Sequence, residues 1–307
     1  MTTQQPAAEA SGPTASGPLA SGLAPALGAY LIWGFLPLYL VLVKRIPAFE
    51  FVGWRIIWTL PLCLAIVAWR RQFPELRAAL ASPKSLLALL ASAVLIGINW
   101  FVYIWAIMAG EVYATSIGYY LNPLLNVLLG TLVLGETLSK RQWLAVAIAA
   151  LAVALLAAGA LTSLWLSLSL ALSFGLYGLV RKQVAVGSLP GLTIESAILL
   201  PVAAAVTGWF AMGPQGSAFG QDWWTSALIV LSGVVTAVPL LLFAIAARRM
   251  DYSTLGFIQY LSPTIVFFLG LFVFHQPLAP EKLGSFVLIW IAVGIFVWDL
   301  WAKRRSV

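Results

Sequence analysis

Apolar residues come along this chain in runs of about 20, each closed by a short polar or charged stretch. An α-helix rises 1.5 Å per residue, so such a run covers a hydrocarbon layer of roughly 30 Å. The runs fall at residues 24–43, 51–69, 86–108, 113–134, 142–160, 163–180, 192–212, 224–247, 252–274 and 282–301. They predict ten transmembrane helices, spans 1 to 10, joined by short connections. The two longest connections, 70–85 and 213–223, carry Pro, Gly or charge. Residues 1–22 are rich in Ala, Ser, Gly, Pro, Thr and Gln, carry one charge (Glu9) and show no periodicity. They read as a disordered tail. No basic stretch precedes the first apolar run, so that run reads as a retained anchor rather than a cleaved signal.

Composition turns this pattern into a class. The 307 residues are 62% hydrophobic and 9% charged, with a mean hydropathy of +0.99. A soluble domain carries roughly 25% charged residues, so lipid must solvate most of this surface. Fourteen Trp fit an interfacial role at the bilayer edge. The net charge of +7 does not point to nucleic acid, because the basic residues are scattered between spans. With the N-terminus inside, the cytoplasmic segments hold 13 Lys and Arg and the outer connections hold three, Lys44, Arg45 and Lys282. That asymmetry predicts a bacterial cytoplasmic-membrane protein with both termini in the cytoplasm. Membrane lipids and a small-molecule solute are the expected partners. The sequence leaves the oligomeric state open and is compatible with a monomer.

An internal repeat appears at an offset of 140. Residues 120–123 read YLNP and 260–263 read YLSP; Gly130 matches Gly270, Glu136 matches Gln276, and Leu138 matches Leu278. Span 4 is thereby matched to span 9. Five crossings separate the copies, so they are inverted with respect to the membrane. Secondary transporters use this construction, because one half presents to the outside what its twin presents to the inside. The competing reading is a duplicated bundle with no transport role.

Polar groups inside hydrocarbon need a reason, since each unsatisfied one costs several kcal/mol. Tyr119, Asn122 and Asn126 share one face of span 4. The repeat places Gln259 and Ser262 at the positions of Tyr119 and Asn122, beside Tyr260. Pro123 and Pro263 each remove a backbone hydrogen bond and are expected to kink their helices. Asn99, Trp100 and Tyr103 in span 3, and Trp33 in span 1, would suit an amphipathic or aromatic solute. All ten side chains are candidate cavity residues; interhelical packing is the alternative. Arg55 lies about one turn inside span 2, where a charge is costly. It is a candidate anion anchor or gate charge, with Glu50 as its expected local partner. Glu195, near the start of span 7, falls where Glu50 falls in the first half at an offset of 145, and is a candidate proton acceptor. Snorkelling to the headgroups is the alternative for both charges. Glu136 is expected in a turn salt bridge or as a cap on span 5.

Several chemistries lack their residues. Cys63 is the only Cys and His275 the only His, so neither a disulfide nor a His-based metal site is expected. There is no P-loop string, G-x-S-x-G or H-E-x-x-H, so no catalytic residue and no cofactor are expected. A membrane-embedded enzyme acting on a lipid-linked substrate is the alternative function. It needs clustered carboxylates or His at one membrane face, and the acids here are dispersed. A passive channel would need a continuous polar stripe.

Several strings carry a resemblance: AYLIWGFLPLYL (29–40), INWFVYIWA (98–106), IGYYLNPLLNVLLG (117–130) with LGE (134–136), FGLYGLVRK (174–182) and STLGFIQYLSPT (253–264). In order, they resemble the RarD branch of the EamA transporters, within the drug/metabolite transporter superfamily. The resemblance runs from about residue 24 to the end. It implies an all-α membrane protein of ten transmembrane helices in two inverted five-helix EamA repeats, 23–161 and 162–302, followed by a basic cytoplasmic tail, 303–307. It also implies a permease for efflux or exchange of small organic molecules such as drugs or metabolites. Gln276 departs from the first repeat's Glu136, so paired acids at those sites are not implied.

Overall fold

A computed structural model describes residues 18–275 and 280–305. Twelve helices follow in order: α1 (Pro18–Leu42), α2 (Ala48–Trp69), α3 (Phe73–Ala81), α4 (Pro83–Met108), α5 (Val112–Leu132), α6 (Lys140–Ala157), α7 (Leu164–Gln183), α8 (Ser188–Ala211), α9 (Trp223–Arg249), α10 (Tyr252–Gln259), α11 (Leu261–Phe272) and α12 (Pro280–Arg305). A 3-10 turn, Ala158–Ser163, joins α6 to α7. No strand occurs among the described residues. Helix is the expected answer, since a lone segment in lipid can satisfy its backbone only within itself.

Among the described residues, nine segments are long and apolar enough to cross a membrane, with α10 and α11 counted together as Tyr252–Phe272. The 21-residue α5 is long enough but is not among them, because Tyr119, Tyr120, Asn122 and Asn126 dilute its apolar content. Three expectations need correction. Residues 18–22, read as tail, form the start of α1, and α12 continues through Arg305 into the stretch read as a tail. The 70–85 connection holds the short helix α3, whose Leu76 and Ala79 are buried where it packs on α8. The rest of the predicted tail, residues 1–17, lies outside the described residues, as do the repeat positions Gln276 and Leu278.

Helix starts follow local chemistry. Pro83 opens α4 behind Ser82, whose Oγ accepts from Ser85 N at 3.3 Å. Ser139 and Gln142 form a reciprocal capping box on α6, at 3.1 and 2.9 Å. Asp222 accepts from Thr225 N at 2.8 Å at the start of α9, and the Thr225 hydrogen bonds hold its carboxyl below the ordinary value.

Packing runs mainly between the two halves of the chain. Helix α1 lies on α9 and α11, α2 on α8 and α9, α4 on α7 and α8, α5 on α7 and α10, and α6 on α12. The main buried cluster sits where α1, α7 and α9 meet, around Tyr30, Tyr177 and Phe243. Trp69, Trp209 and Trp223 stand exposed at helix ends, as side chains facing a bilayer interface do.

Candidate functional site

Two groups of polar side chains flank the centre of the bundle. The first is built on Arg55, the eighth residue of α2. Its Nε donates to Thr236 Oγ1 on α9 at 2.8 Å. The guanidinium carbon lies 5.5 Å from the Trp100 ring centroid and 5.9 Å from that of Phe51, within cation–π range. Tyr39, Tyr103 and Tyr119 are close enough to interact with its charge. The Tyr103 and Tyr119 rings are 6.1 Å apart, and Tyr119 remains 48% exposed. So α2, α4, α5 and α9 bring a cation and four aromatic rings together.

The second group is built on Glu195, the eighth residue of α8. Its Oε1 accepts from the Ser92 hydroxyl of α4 and lies 3.4 Å from Arg181 Nη1 of α7. The Arg181 and Glu195 side chains are 0% and 2% exposed. Arg181 Nη2 also donates to Ser188 O at 2.9 Å. Among the described residues its Nε, and Glu195 Oε2, find no hydrogen-bond partner. Arg181 fits because Gly191 leaves it room; a Cβ there would collide with the guanidinium. A cavity of about 10 Å³, room for about one water, touches Glu195, Tyr177 and Thr59 and reaches Thr236 and Trp100 of the first group.

Several predicted residues lie apart from these groups. Asn126 Nδ2 donates to Gln259 Oε1 at 3.0 Å, tying α5 to α10, and Asn122 is buried with its Oδ1 unpartnered among the described residues. Ser262 donates to Tyr30 O at 2.7 Å, and Tyr260 to Tyr120 O at 3.4 Å. Asn99 donates to Leu170 O and Ser173 Oγ, each at 3.0 Å, and so joins α4 to α7. Trp33 packs on Tyr30, Phe174 and Phe243. Pro123 sits in an uninterrupted α5. Pro263 is the third residue of α11, just past the break at Tyr260, where its missing N–H costs little.

Three residues behave differently from expectation. Glu50 is 1% exposed and does not pair with Arg55. It accepts from Trp54 Nε1 at 3.1 Å, and from Ser217 Oγ and Ala218 N at 2.8 Å each, pinning the 213–222 connection to the start of α2. Glu136 caps α10 instead of span 5: it accepts from Tyr252 N at 2.6 Å, Ser253 N at 2.9 Å and Ser253 Oγ at 2.7 Å. Nearby Asp251 has its carboxyl pushed above the ordinary value, first by partial burial and then by the Glu136 charge. Arg181, counted in the sequence as a connection cation, is buried in the last turn of α7. Sequence reasoning also missed Ser92, Tyr177 and Thr236. The available signal was the offset of 140, which pairs Arg55 with Glu195.

Known proteins place this architecture. The profile of the EamA-like transporter family matches residues 20–158. An uncharacterised transporter of Pseudomonas aeruginosa is 41% identical over 95% of this chain and 98% of its own length. Protein RarD of Escherichia coli (strain K12) is 40% identical over 93% of this chain and 97% of its own. A protein of Pseudomonas aeruginosa named chloramphenicol-sensitive protein RarD is 30% identical over 91% and 94%. A crystal structure with 19% identity shares the fold, with a TM-score of 0.69 over 90% of this chain and 97% of that one. With relatives of this identity along nearly its whole length, the chain is a multi-pass membrane protein that belongs to the RarD branch of the EamA-like transporter family.

Proposed function

We propose that this chain is a secondary transporter that exports small organic solutes across the cytoplasmic membrane by alternating access, with both termini in the cytoplasm. Ten crossings in two inverted repeats, 23–161 and 162–302, form the moving parts, with α5 as the tenth crossing. One observation carries the reading. Arg55 and Glu195 hold the same place in α2 and α8, each bonded to a hydroxyl of a helix from the other half, yet their surroundings differ. Among the described residues Arg55 has no acid partner and stands against the Trp100 and Phe51 rings, whereas Glu195 is paired with Arg181 out of solvent. In an inverted repeat these are the open outer side and the closed inner side of one central pathway. Helix packing supports the same reading, since α1 on α9 has its repeat counterpart in α7 on α4, and α5 on α7 in α11 on α1.

Proteoliposomes holding the purified protein test the proposal against a labelled library of metabolites that includes chloramphenicol, because one relative is named for sensitivity to it. Saturable, protein-dependent flux of at least one solute is expected, with or without a pH gradient. Silence for every solute, together with turnover of a lipid-linked substrate, overturns it. The matched polar faces of α5 and α10 belong to the pathway in this reading, so Asn122→Ala and Gln259→Ala should each slow flux while leaving membrane insertion intact. Unchanged kinetics in both remove them from it.

A further inference from the structure

Ionisable side chains inside transmembrane segments are rare and almost always pair with an opposite charge or backbone carbonyls. Arg55 breaks this rule. Among the described residues its only hydrogen bond is from Nε to Thr236, and no carboxylate stands within ion-pair distance. The nearby acids are already engaged, Glu50 by the 213–222 connection and Glu195 by Arg181 and Ser92. Among the described residues the terminal amino groups of Arg55 are thus left without an acceptor, and Tyr119, one of the rings close enough to feel its charge, is half-exposed.

We propose that Arg55 receives the carboxylate of a small aromatic acid, which makes aromatic carboxylates the solute class of this protein; the proposal rests on the transporter reading above. Thr236 fixes the guanidinium by Nε and leaves the terminal pair of amino groups free to bond a ligand. A planar fork of this kind fits a carboxylate with two parallel hydrogen bonds. Trp100, Tyr103 and Tyr119 stand around the same space and supply ring surfaces for a flat apolar body, where offset or edge-on ring contacts are favourable. An amide of the same shape fills the rings but leaves the buried-side cation without a counter-charge, and an amine adds repulsion. Discrimination by charge is therefore expected to exceed discrimination by ring size. An anionic lipid headgroup shares the chemistry of the carboxylate. Seven residues of helix separate Arg55 from the start of α2, about 10 Å of depth, which sets it below the level at which headgroup phosphates lie.

The test is thermal unfolding of the full chain in nanodiscs of zwitterionic phosphatidylcholine, titrated with benzoate, phenylacetate and 1-naphthoate, and in parallel with benzamide and benzylamine. The acids should raise Tm in a saturable way, with the amide and amine giving little or no shift. Arg55→Gln should abolish the response, and Arg55→Lys should restore part of it. Thr236→Val keeps the charge but frees the guanidinium, so it should weaken the acid response several-fold even if Arg55→Gln folds poorly. Equal responses to benzoate and benzamide, no response to any of the three acids, or an Arg55→Gln protein that responds like the parent overturns the proposal. A Tm rise that requires added phosphatidylglycerol and vanishes in Arg55→Gln assigns Arg55 to lipid and also overturns it. The transporter reading survives each of these outcomes, provided some neutral or cationic solute still moves in proteoliposomes; absence of all flux is the failure of that reading instead.

Discussion

Arg181 and Glu195 present the sharpest balance of forces at the scale of single residues. Both are withdrawn from solvent, at 3.4 Å from one another. Desolvating two charges is expensive, so such a pair contributes little net stability, yet removing one partner strands the other at a cost of about 3–5 kcal/mol. Arg181→Met and Glu195→Leu should each destabilise the protein on that scale. The double change to Met and Leu should cost less than the sum of the two, and a double-mutant cycle from denaturant titration measures the difference. Additive losses would mean that the two side chains do not act as a pair. Gly191→Ala probes the same pair without altering a charge. Its methyl group meets the guanidinium, and overpacking of this kind costs about 1–3 kcal/mol. The geometry of one helix also explains Glu50. Residues 50 and 55 are five apart, roughly 140° around α2, whereas Trp54 is one turn away and makes the bond. Proximity in sequence suggested a Glu50–Arg55 pair that helical periodicity disfavours.

Among the elements, the joint between α5 and α10 depends on Glu136. Its carboxylate takes three hydrogen bonds at the start of α10, where the helix dipole favours an anion. Lys182 Nζ approaches to 3.9 Å from the end of α7 and also donates to Met250 O at 2.6 Å, at the end of α9. Gly130 makes the approach possible, since a Cβ there would stand 2.5 Å from both Glu136 Oε2 and Ser253 Oγ. Glu136→Ala should therefore cost about 2 kcal/mol, the scale for losing hydrogen bonds to a charged group, with Glu136→Gln losing less. Thermal unfolding in detergent reads both; an unshifted Glu136→Ala protein would show that α10 needs no cap. The spans were legible in the sequence because a 20-residue apolar run in lipid has one structural solution, and Asn126 and Gln259 were marked by their polarity on matched helices. The target of Glu136 was not legible, because 116 residues separate it from Tyr252 and only tertiary packing brings them together. Arg181 was hidden for a related reason. A cation following an apolar run reads as a headgroup contact until the notch at Gly191 is seen. α3 was missed because nine residues of mixed polarity give too short a periodic signal.

For the molecule as a whole, the asymmetry between the Arg55 and Glu195 surroundings carries a dynamic consequence. If the two halves are inverted copies, the arrangement now seen around Arg55 must be available to Glu195, and the converse, at a similar free energy. A solute that binds between them then shifts the balance only by its differential affinity for the two states. Cysteine labelling can follow that exchange, because Cys63 is buried and is the only native thiol to replace. In a Cys63→Ser background, Cys placed at Tyr119 starts accessible and Cys placed at Ser196, beside the small cavity and 5% exposed, starts closed. A membrane-impermeant thiol reagent applied to intact cells should label the Tyr119→Cys protein, and the same reagent applied to inside-out vesicles should leave Ser196→Cys unlabelled. Adding a transported solute should raise the Ser196→Cys rate several-fold from the inner side and slow Tyr119→Cys from the outer side, because each population gained by one face is lost by the other. Two rates that rise together would describe a pore open at both ends, and a Ser196→Cys protein that stays silent during measured flux would rule out rocking of the two halves about this centre.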